Sequence, residues 1–223
     1  MDKAMWDRLA AAGGIIGVVL FVIGIIILGT PPDIDDNAAT VANFFEDNRD
    51  QVLWATFLQG LGVLAVIWFI GALGAAMRDA GEGRLAAVMG IAFAITVSIG
   101  AVAGLARASL AFSIAEAADP EISLAFYRMG GYLDTTSNLI AGGFYLAVAG
   151  AVVRTGLVAS WWGWLSGLVG LWSIVSSTAW ARDGFWSPDG AGMISFIVFL
   201  AWVLITSILL TMKMRGSTAA STA

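Results

Sequence analysis

Long apolar runs separated by short polar turns dominate the pattern of this chain. The central run extends from Leu133 to Ala181 and breaks only at Arg154-Thr155-Gly156, with about twenty apolar residues on either side. A helix of that length crosses the ~30 Å hydrocarbon core of a bilayer. The pattern therefore predicts a transmembrane hairpin whose tip lies at the membrane surface.

Six such runs follow one another along the chain. They predict spans at about residues 10–29, 52–77, 85–106, 135–153, 160–181 and 193–212. The first run has the length of a signal peptide, but Thr30-Pro31-Pro32 follows it instead of a small-x-small cleavage site, so we interpret it as a retained span. The predicted fold class is all-α, with residues 1–223 as a single polytopic membrane domain, a six-transmembrane-helix bundle with short loops. The Ser/Thr/Ala tail over 216–223 is predicted to be disordered.

Two amphipathic segments lie between spans on the same predicted side. Asp36-Asn37 can cap a helix over about 37–48, whose apolar residues recur at i, i+3, i+4 and i+7: Ala38, Val41, Ala42 and Phe45. Asp119-Pro120-Glu121 is a strong helix start and predicts a second helix over about 119–129, ended by Gly130-Gly131. Both are predicted to lie on the outer membrane surface.

Basic residues are distributed unevenly over this topology. Seven fall on the side of the termini: Lys3, Arg8, Arg78, Arg84, Arg154, Lys213 and Arg215. Four fall on the other side: Arg49, Arg107, Arg128 and Arg182. The positive-inside rule then places both termini in the cytoplasm of a cell whose plasma membrane the chain spans. Tryptophans at the predicted span ends agree with this: Trp6, Trp161, Trp162 and Trp164 inside, and Trp54, Trp180 and Trp186 outside.

Composition narrows the possible functions. Hydrophobic residues make up 59% of the chain and charged residues 12%, which is typical of a protein solvated by lipid. The absence of Cys and His removes disulfides, His/Cys zinc sites and histidine general bases. A net charge of −5 argues against nucleic acid as a partner. No cofactor is predicted.

Known chemical motifs are also missing. Asp33, Asp35 and Asn37 match the first ligand positions of a calcium loop, but Ala38 and Phe44 replace the glycine and glutamate that the loop requires. No ionisable side chain is predicted near the middle of a span, where ion-coupled carriers and proton relays need one. Coupled transport is therefore disfavoured, whereas facilitated diffusion stays open.

The fifth span carries small residues on one face at spacings of three and four. They are Gly163, Ser166, Gly167, Gly170, Ser173 and Ser177. We interpret the face as a helix-packing seam, because small residues let backbones approach and serines bond across helices. A polar groove is the alternative. Further seams are predicted at Gly100 and Gly104 on the third span and at Gly143 and Gly150 on the fourth.

Charged residues converge on the predicted outer ends of spans three to five. We call Arg107, Asp134, Asn138 and Arg182 the outer cluster, in which Asn138 is the inward wall, one turn deeper than Asp134. Such a set can bind a lipid headgroup or a small zwitterion. Alternatively, the arginines snorkel to the surface and Asp134 interacts with a helix dipole.

Two stretches carry a family resemblance: VANFFEDNRDQVLWATFLQGLGVLAVIWFIGALGAAMR and RTGLVASWWGWLSGLVG. The first joins an interfacial helix to a span that ends at Arg78, and the second joins a basic turn to an aromatic-Gly-aromatic-Leu helix start. Together they resemble the six-span bacterial membrane proteins, common in actinobacteria, grouped as a domain of unknown function (four-three-eight-six) and its relatives. The resemblance covers most of the chain. It implies a six-helix bundle in the cytoplasmic membrane, and neither an activity nor functional residues.

Three functional hypotheses follow. The first is a non-enzymatic multi-pass protein that binds membrane lipid or a partner membrane protein, or that forms a homo-oligomer. The second is a passive carrier or channel for a small neutral or cationic solute, lined by the serines of the fifth span and Asn138. The third is an outer-surface lipid-modifying enzyme that uses Asp134 or Asp183.

Overall fold

The computed structural model describes residues 3–117 and 119–220, with side chains for 9–117 and 119–213. The interpretations that concern the side chains of Lys3, Trp6, Arg8 and Arg215, and the predicted tail at 221–223, lie outside the described residues.

Helices account for nearly all of the described chain, and no strand occurs in these ranges. The α-helices are α1 (Lys3–Leu28), α2 (Ala38–Asp47), α3 (Arg49–Asp79), α4 (Gly83–Ser109), α5 (Ala115–Ala117), α6 (Pro120–Thr155), α7 (Ser160–Ser176) and α8 (Met193–Ala220). A π-helical turn over Leu110–Ile114 joins α4 to α5, and another over Pro188–Gly192 precedes α8.

Five segments are long and apolar enough to cross a membrane. They are Leu9–Leu28, Arg49–Asp79, Gly83–Ala117, Pro120–Thr155 and Pro188–Lys213. The predicted all-α fold and the membrane-embedded character of the chain are therefore confirmed. Helix α7, in the fifth predicted span, has 17 residues and is shorter than these five.

Helix α2 begins where its sequence provides a cap. The Asn37 side-chain oxygen accepts a hydrogen bond from the Thr40 backbone N–H at 2.9 Å, which satisfies one of the free donors of the first turn. The helix buries Val41 and Phe45 in a small core with Tyr127 of α6. We call this end of the bundle the α2 end. The opposite end carries the α3–α4 and α6–α7 turns.

Helix α6 is continuous, so the predicted helix end at Gly130-Gly131 is wrong. A Cβ atom at Gly130 would lie 3.4 Å from the Ala103 carbonyl oxygen, and one at Gly131 would lie 2.8 Å from Ile34 Cδ1. The two glycines therefore allow neighbouring segments to approach α6. Each costs about 1 kcal/mol of helix propensity relative to alanine, which does not end a well-packed helix.

The last two helices also differ from the prediction. Helix α7 ends at Ser176, where the sequence predicts a span to 181. The hydroxyls of Ser176, Ser177 and Thr178 donate to carbonyl oxygens three residues earlier, and such bonds compete with continued helix. Helix α8 extends to Ala220, so the tail predicted to be disordered is helical over residues 216–220. Alanine has the highest helix propensity, and two alanines end this segment.

The main core lies between α1, α3, α4, α6, α7 and α8. Its largest fully buried side chains include Phe69, Leu73, Met77, Met89, Val148 and Trp202. Two helix pairs within it meet through glycine. A Cβ atom at Gly17 of α1 would lie 2.9 Å from the Gly62 oxygen of α3, and one at Gly142 of α6 would lie 2.9 Å from the Gly170 oxygen of α7. At these points the helices touch through their backbones.

The adjacent glycines of α6 give a matched test of this packing. We expect Gly142→Ala to lower the free energy of unfolding in detergent by about 1–3 kcal/mol, because the new methyl group meets the backbone of α7. Gly143→Ala is the control, since a Cβ atom there meets nothing within 4 Å. Equal unfolding midpoints for the two variants would contradict the packing.

Candidate functional site

The structure brings two members of the outer cluster together. Arg107 of α4 and Asp134 of α6 form an ion pair at the α2 end, with 33% and 42% of their side chains exposed. Asn138 lies one turn further along α6 and is half-buried. Arg182 is exposed in the loop after α7 and forms no ion pair with any described residue. The predicted four-residue set is therefore reduced to one pair.

The pair sits beside a segment that we call the strap, residues 30–36, between α1 and α2. Tyr127 Oη donates to the Pro32 carbonyl oxygen at 2.5 Å, and Arg128 Nε donates to that of Ile34 at 3.0 Å. The Ile34 backbone N–H donates to Asp189 Oδ2 at 2.6 Å. Three side chains from two distant parts of the chain thus hold the strap down.

Sequence reasoning missed Tyr127, Arg128 and Asp189 as strap contacts. Their partners in the strap are 94 to 155 residues away along the chain, so no local spacing indicates the contacts. Ile34 is 4% exposed and covers Gly131. The hydrogen bonds of Tyr127, Arg128 and Asp189 therefore give the α2 end a role in tertiary structure.

Indole–hydroxyl bonds connect α7 to α8. Trp162 Nε1 donates to Thr206 Oγ1 at 2.9 Å, and Trp202 Nε1 donates to Ser166 Oγ at 2.9 Å. Nearer the α2 end, Trp172 Nε1 donates to Ser195 Oγ at 3.0 Å. These bonds satisfy polar groups that lipid cannot.

The three serines of the small-residue face, Ser166, Ser173 and Ser177, are buried. Ser166 donates to the Trp162 carbonyl oxygen, Ser173 to that of Val169, and Ser177 to that of Ile174. The face predicted either to pack or to line a groove therefore has its hydroxyls bonded to helix carbonyls.

The glycines predicted to form seams divide into two groups. In the first group a Cβ atom would meet a neighbour within 4 Å: Gly150, Gly163, Gly167 and Gly170. In the second, Gly100, Gly104 and Gly143, it would meet nothing within 4 Å, so no described helix of this chain packs closely at these positions. Helix α4 instead turns Ala103 and Ala106 inward, and α6 contacts α7 through Gly142.

A groove runs between α3 and α4 on the outside of the bundle. This α3–α4 groove has a volume of about 500 Å³ and is lined by Ile67, Ile70, Gly71, Gly74, Arg78, Ala86, Met89, Gly90, Phe93, Ala94, Val97 and Ser98. A Cβ atom at Gly71 or at Gly90 would meet nothing within 4 Å, so glycine leaves the groove open at these positions.

Helix α4 is the least enclosed of the five candidate spans. In its most apolar stretch 22% of the residues are buried, against 39% to 44% in the other four. The groove therefore lies on the outside of the bundle, beside the least enclosed of these helices.

Arg78 is the only charged residue that lines the groove. It lies in the last turn of α3, is exposed, and forms no ion pair with any described residue. Its Nη1 atom lies 3.5 Å from the position that a Cβ atom would occupy at Gly74, so the guanidinium folds back over the groove. At the same end of the bundle, Arg154 Nε is paired with Glu82 Oε1 at 2.8 Å.

No group of three or more Asp or Glu within the described residues is placed to hold a metal ion. Comparison with protein-family models, with curated proteins and with solved structures finds no match for this chain. The candidate sites therefore rest on geometry and chemistry alone.

A charge pair that stabilises the α2 end is testable by a double-mutant cycle. We expect Arg107→Gln and Asp134→Asn each to lower the free energy of unfolding by about 1 kcal/mol, because both charges are partly buried. The double variant should lose less free energy of unfolding than the sum of the two single losses, since either change alone removes the ion pair. Arg182→Gln is the control, with an expected change within about 0.5 kcal/mol. Additive losses would contradict the pairing.

Proposed function

We propose that this chain is a non-enzymatic, six-span protein of the cytoplasmic membrane that binds lipid in the bilayer. The observation that carries the proposal is the α3–α4 groove, which lies on the outside of the bundle and has the volume of a ligand site, ~300–1,000 Å³. Membrane proteins fill their helix interfaces with small residues in close contact. Here glycines leave space instead.

The sixth span in this proposal is α7. Its 17 residues rise about 25 Å, at the lower limit for a transmembrane helix. Exposed tryptophans lie at both of its ends, Trp161 and Trp164 at the start and Trp180 after the last turn, as expected of residues at membrane–water interfaces. With six spans, the α2 end is outside and the basic termini are cytoplasmic.

The buried serines count against the passive carrier. A water-accessible path along α7 needs free hydroxyls, and those of Ser166, Ser173 and Ser177 bond to backbone carbonyls. The lipid-modifying enzyme loses one candidate group, because the Asp134 carboxylate is paired with Arg107. The family resemblance and the possible partner protein stay predictions.

Topology reporters test the six-span arrangement. We expect a reporter fused after Gly81 to read cytoplasmic and one fused after Pro188 to read extracytoplasmic, because an odd number of spans separates the two positions. Two cytoplasmic readings would mean that α7 does not cross the membrane. Exchanged readings would overturn the orientation.

Native mass spectrometry of the gently extracted protein tests lipid binding. We expect lipid retained at a fixed stoichiometry, and Gly90→Leu to reduce it severalfold by filling the groove from a position where the side chain meets no protein atom. Gly104→Leu is the control, since its Cβ atom is equally free and it does not line the groove. A bare protomer would contradict lipid binding, as would a bound polypeptide in place of lipid.

A further inference from the structure

We propose that the α3–α4 groove selects an anionic phospholipid, whose phosphate binds Arg78 and one of whose acyl chains lies along the groove. The inference rests on the proposed lipid-binding function and adds the lipid class, the headgroup ligand and the membrane leaflet.

The charge at the end of the groove indicates the headgroup. Arg78 has no carboxylate partner among the described residues, and its guanidinium lies over Gly74 at the entrance. The neighbouring Asp79 is also exposed, but adjacent residues of a helix do not face each other. A guanidinium offers several donors in a planar fork that matches phosphate oxygens.

The length of the groove indicates one leaflet. On α4 the lining extends from Ala86 to Ser98, a rise of about 18 Å. Half of the hydrocarbon core is about 15 Å thick, so a groove that begins at Arg78 near the surface ends close to the bilayer midplane. This is the depth that the acyl chain of a lipid in that leaflet reaches.

The surface of the groove indicates an acyl chain. Apart from Arg78 and Ser98 its lining is apolar, and the Ser98 hydroxyl donates to the Ala94 carbonyl oxygen at 2.8 Å. Apart from Arg78, the lining therefore has no free polar side chain that needs a hydrogen-bond partner on the ligand. Small residues on both helices let a flexible chain lie below the level of the neighbouring side chains.

The net charge of the lipid follows from the unpaired cation. A zwitterionic headgroup brings its own ammonium group, which competes with Arg78 for the phosphate, whereas an anionic lipid leaves its charge for the guanidinium. One basic residue near a membrane surface adds about a fivefold preference for anionic lipid. A snorkelling Arg78 would attract anionic lipid only as any surface arginine does, so Arg78→Gln and Arg84→Gln would then reduce retention equally.

The test is lipid titration of the detergent-solubilised full chain, read by native mass spectrometry. The two probes are phosphatidylglycerol and phosphatidylcholine with identical acyl chains. We expect the unmodified protein to retain more phosphatidylglycerol, and Arg78→Gln to reduce its retention about fivefold while phosphatidylcholine is unchanged. Phosphatidylglycerol retention by Arg78→Lys should lie between that of the unmodified protein and that of Arg78→Gln, because lysine keeps the charge and loses the planar fork.

Arg84→Gln is the matched control, since Arg84 is exposed six residues later and does not line the groove. Equal losses for Arg78→Gln and Arg84→Gln would overturn the inference, as would unchanged phosphatidylglycerol retention in Arg78→Gln. Unfolding midpoints within error of each other establish that all variants are folded.

The outcomes separate the two proposals. Equal retention of both lipids, reduced by Gly90→Leu, would leave lipid binding in the groove and remove the selectivity for anionic lipid. Retention of neither lipid would remove both proposals.

Discussion

Close backbone contact at glycine is the constraint on which this bundle depends. Lipid tails are as apolar as leucine, so helices in a membrane associate through van der Waals contact and hydrogen bonds rather than through the hydrophobic effect. Van der Waals contact joins α1 to α3 at Gly17 and Gly62. The same kind of contact joins α6 to α7 at Gly142 and Gly170. Helix α8 is held by hydrogen bonds, since tryptophan indoles donate to hydroxyl groups between α7 and α8.

The same residue type produces the opposite result where no helix fills the space beside it. Gly71 and Gly90 meet nothing at their Cβ positions, and the α3–α4 groove is the consequence. Away from this groove, α1 packs closely against α3 through Gly13 and Gly17. The groove is thus formed by residues of two helices, and no loop residue lines it.

The sequence predicted the helices better than their contacts. Apolar runs and caps indicated an all-helical membrane protein, and Asn37 and Asp119 each accept the capping hydrogen bond expected at a helix start. The sequence did not show which of two adjacent glycines faces the neighbouring helix. It pointed to Gly143 of α6, whereas Gly142 contacts α7. Gly13 and Gly17 of α1 have the same four-residue spacing as Gly100 and Gly104, but no seam was predicted on α1. The strap contacts had no local signal, because their partners come from distant segments.

The contact between α1 and α8 has a consequence for how the protein is made. Ser207 Oγ donates to the Ala11 carbonyl oxygen at 2.5 Å, across 196 residues of chain. Translation delivers α8 after α1, so this bond forms only after the helices between them have been synthesised. The contact between α1 and α8 thus forms later in membrane insertion than the contacts among the helices between them. Until then α1 relies on α3, the neighbour it meets through glycine soon after its own synthesis.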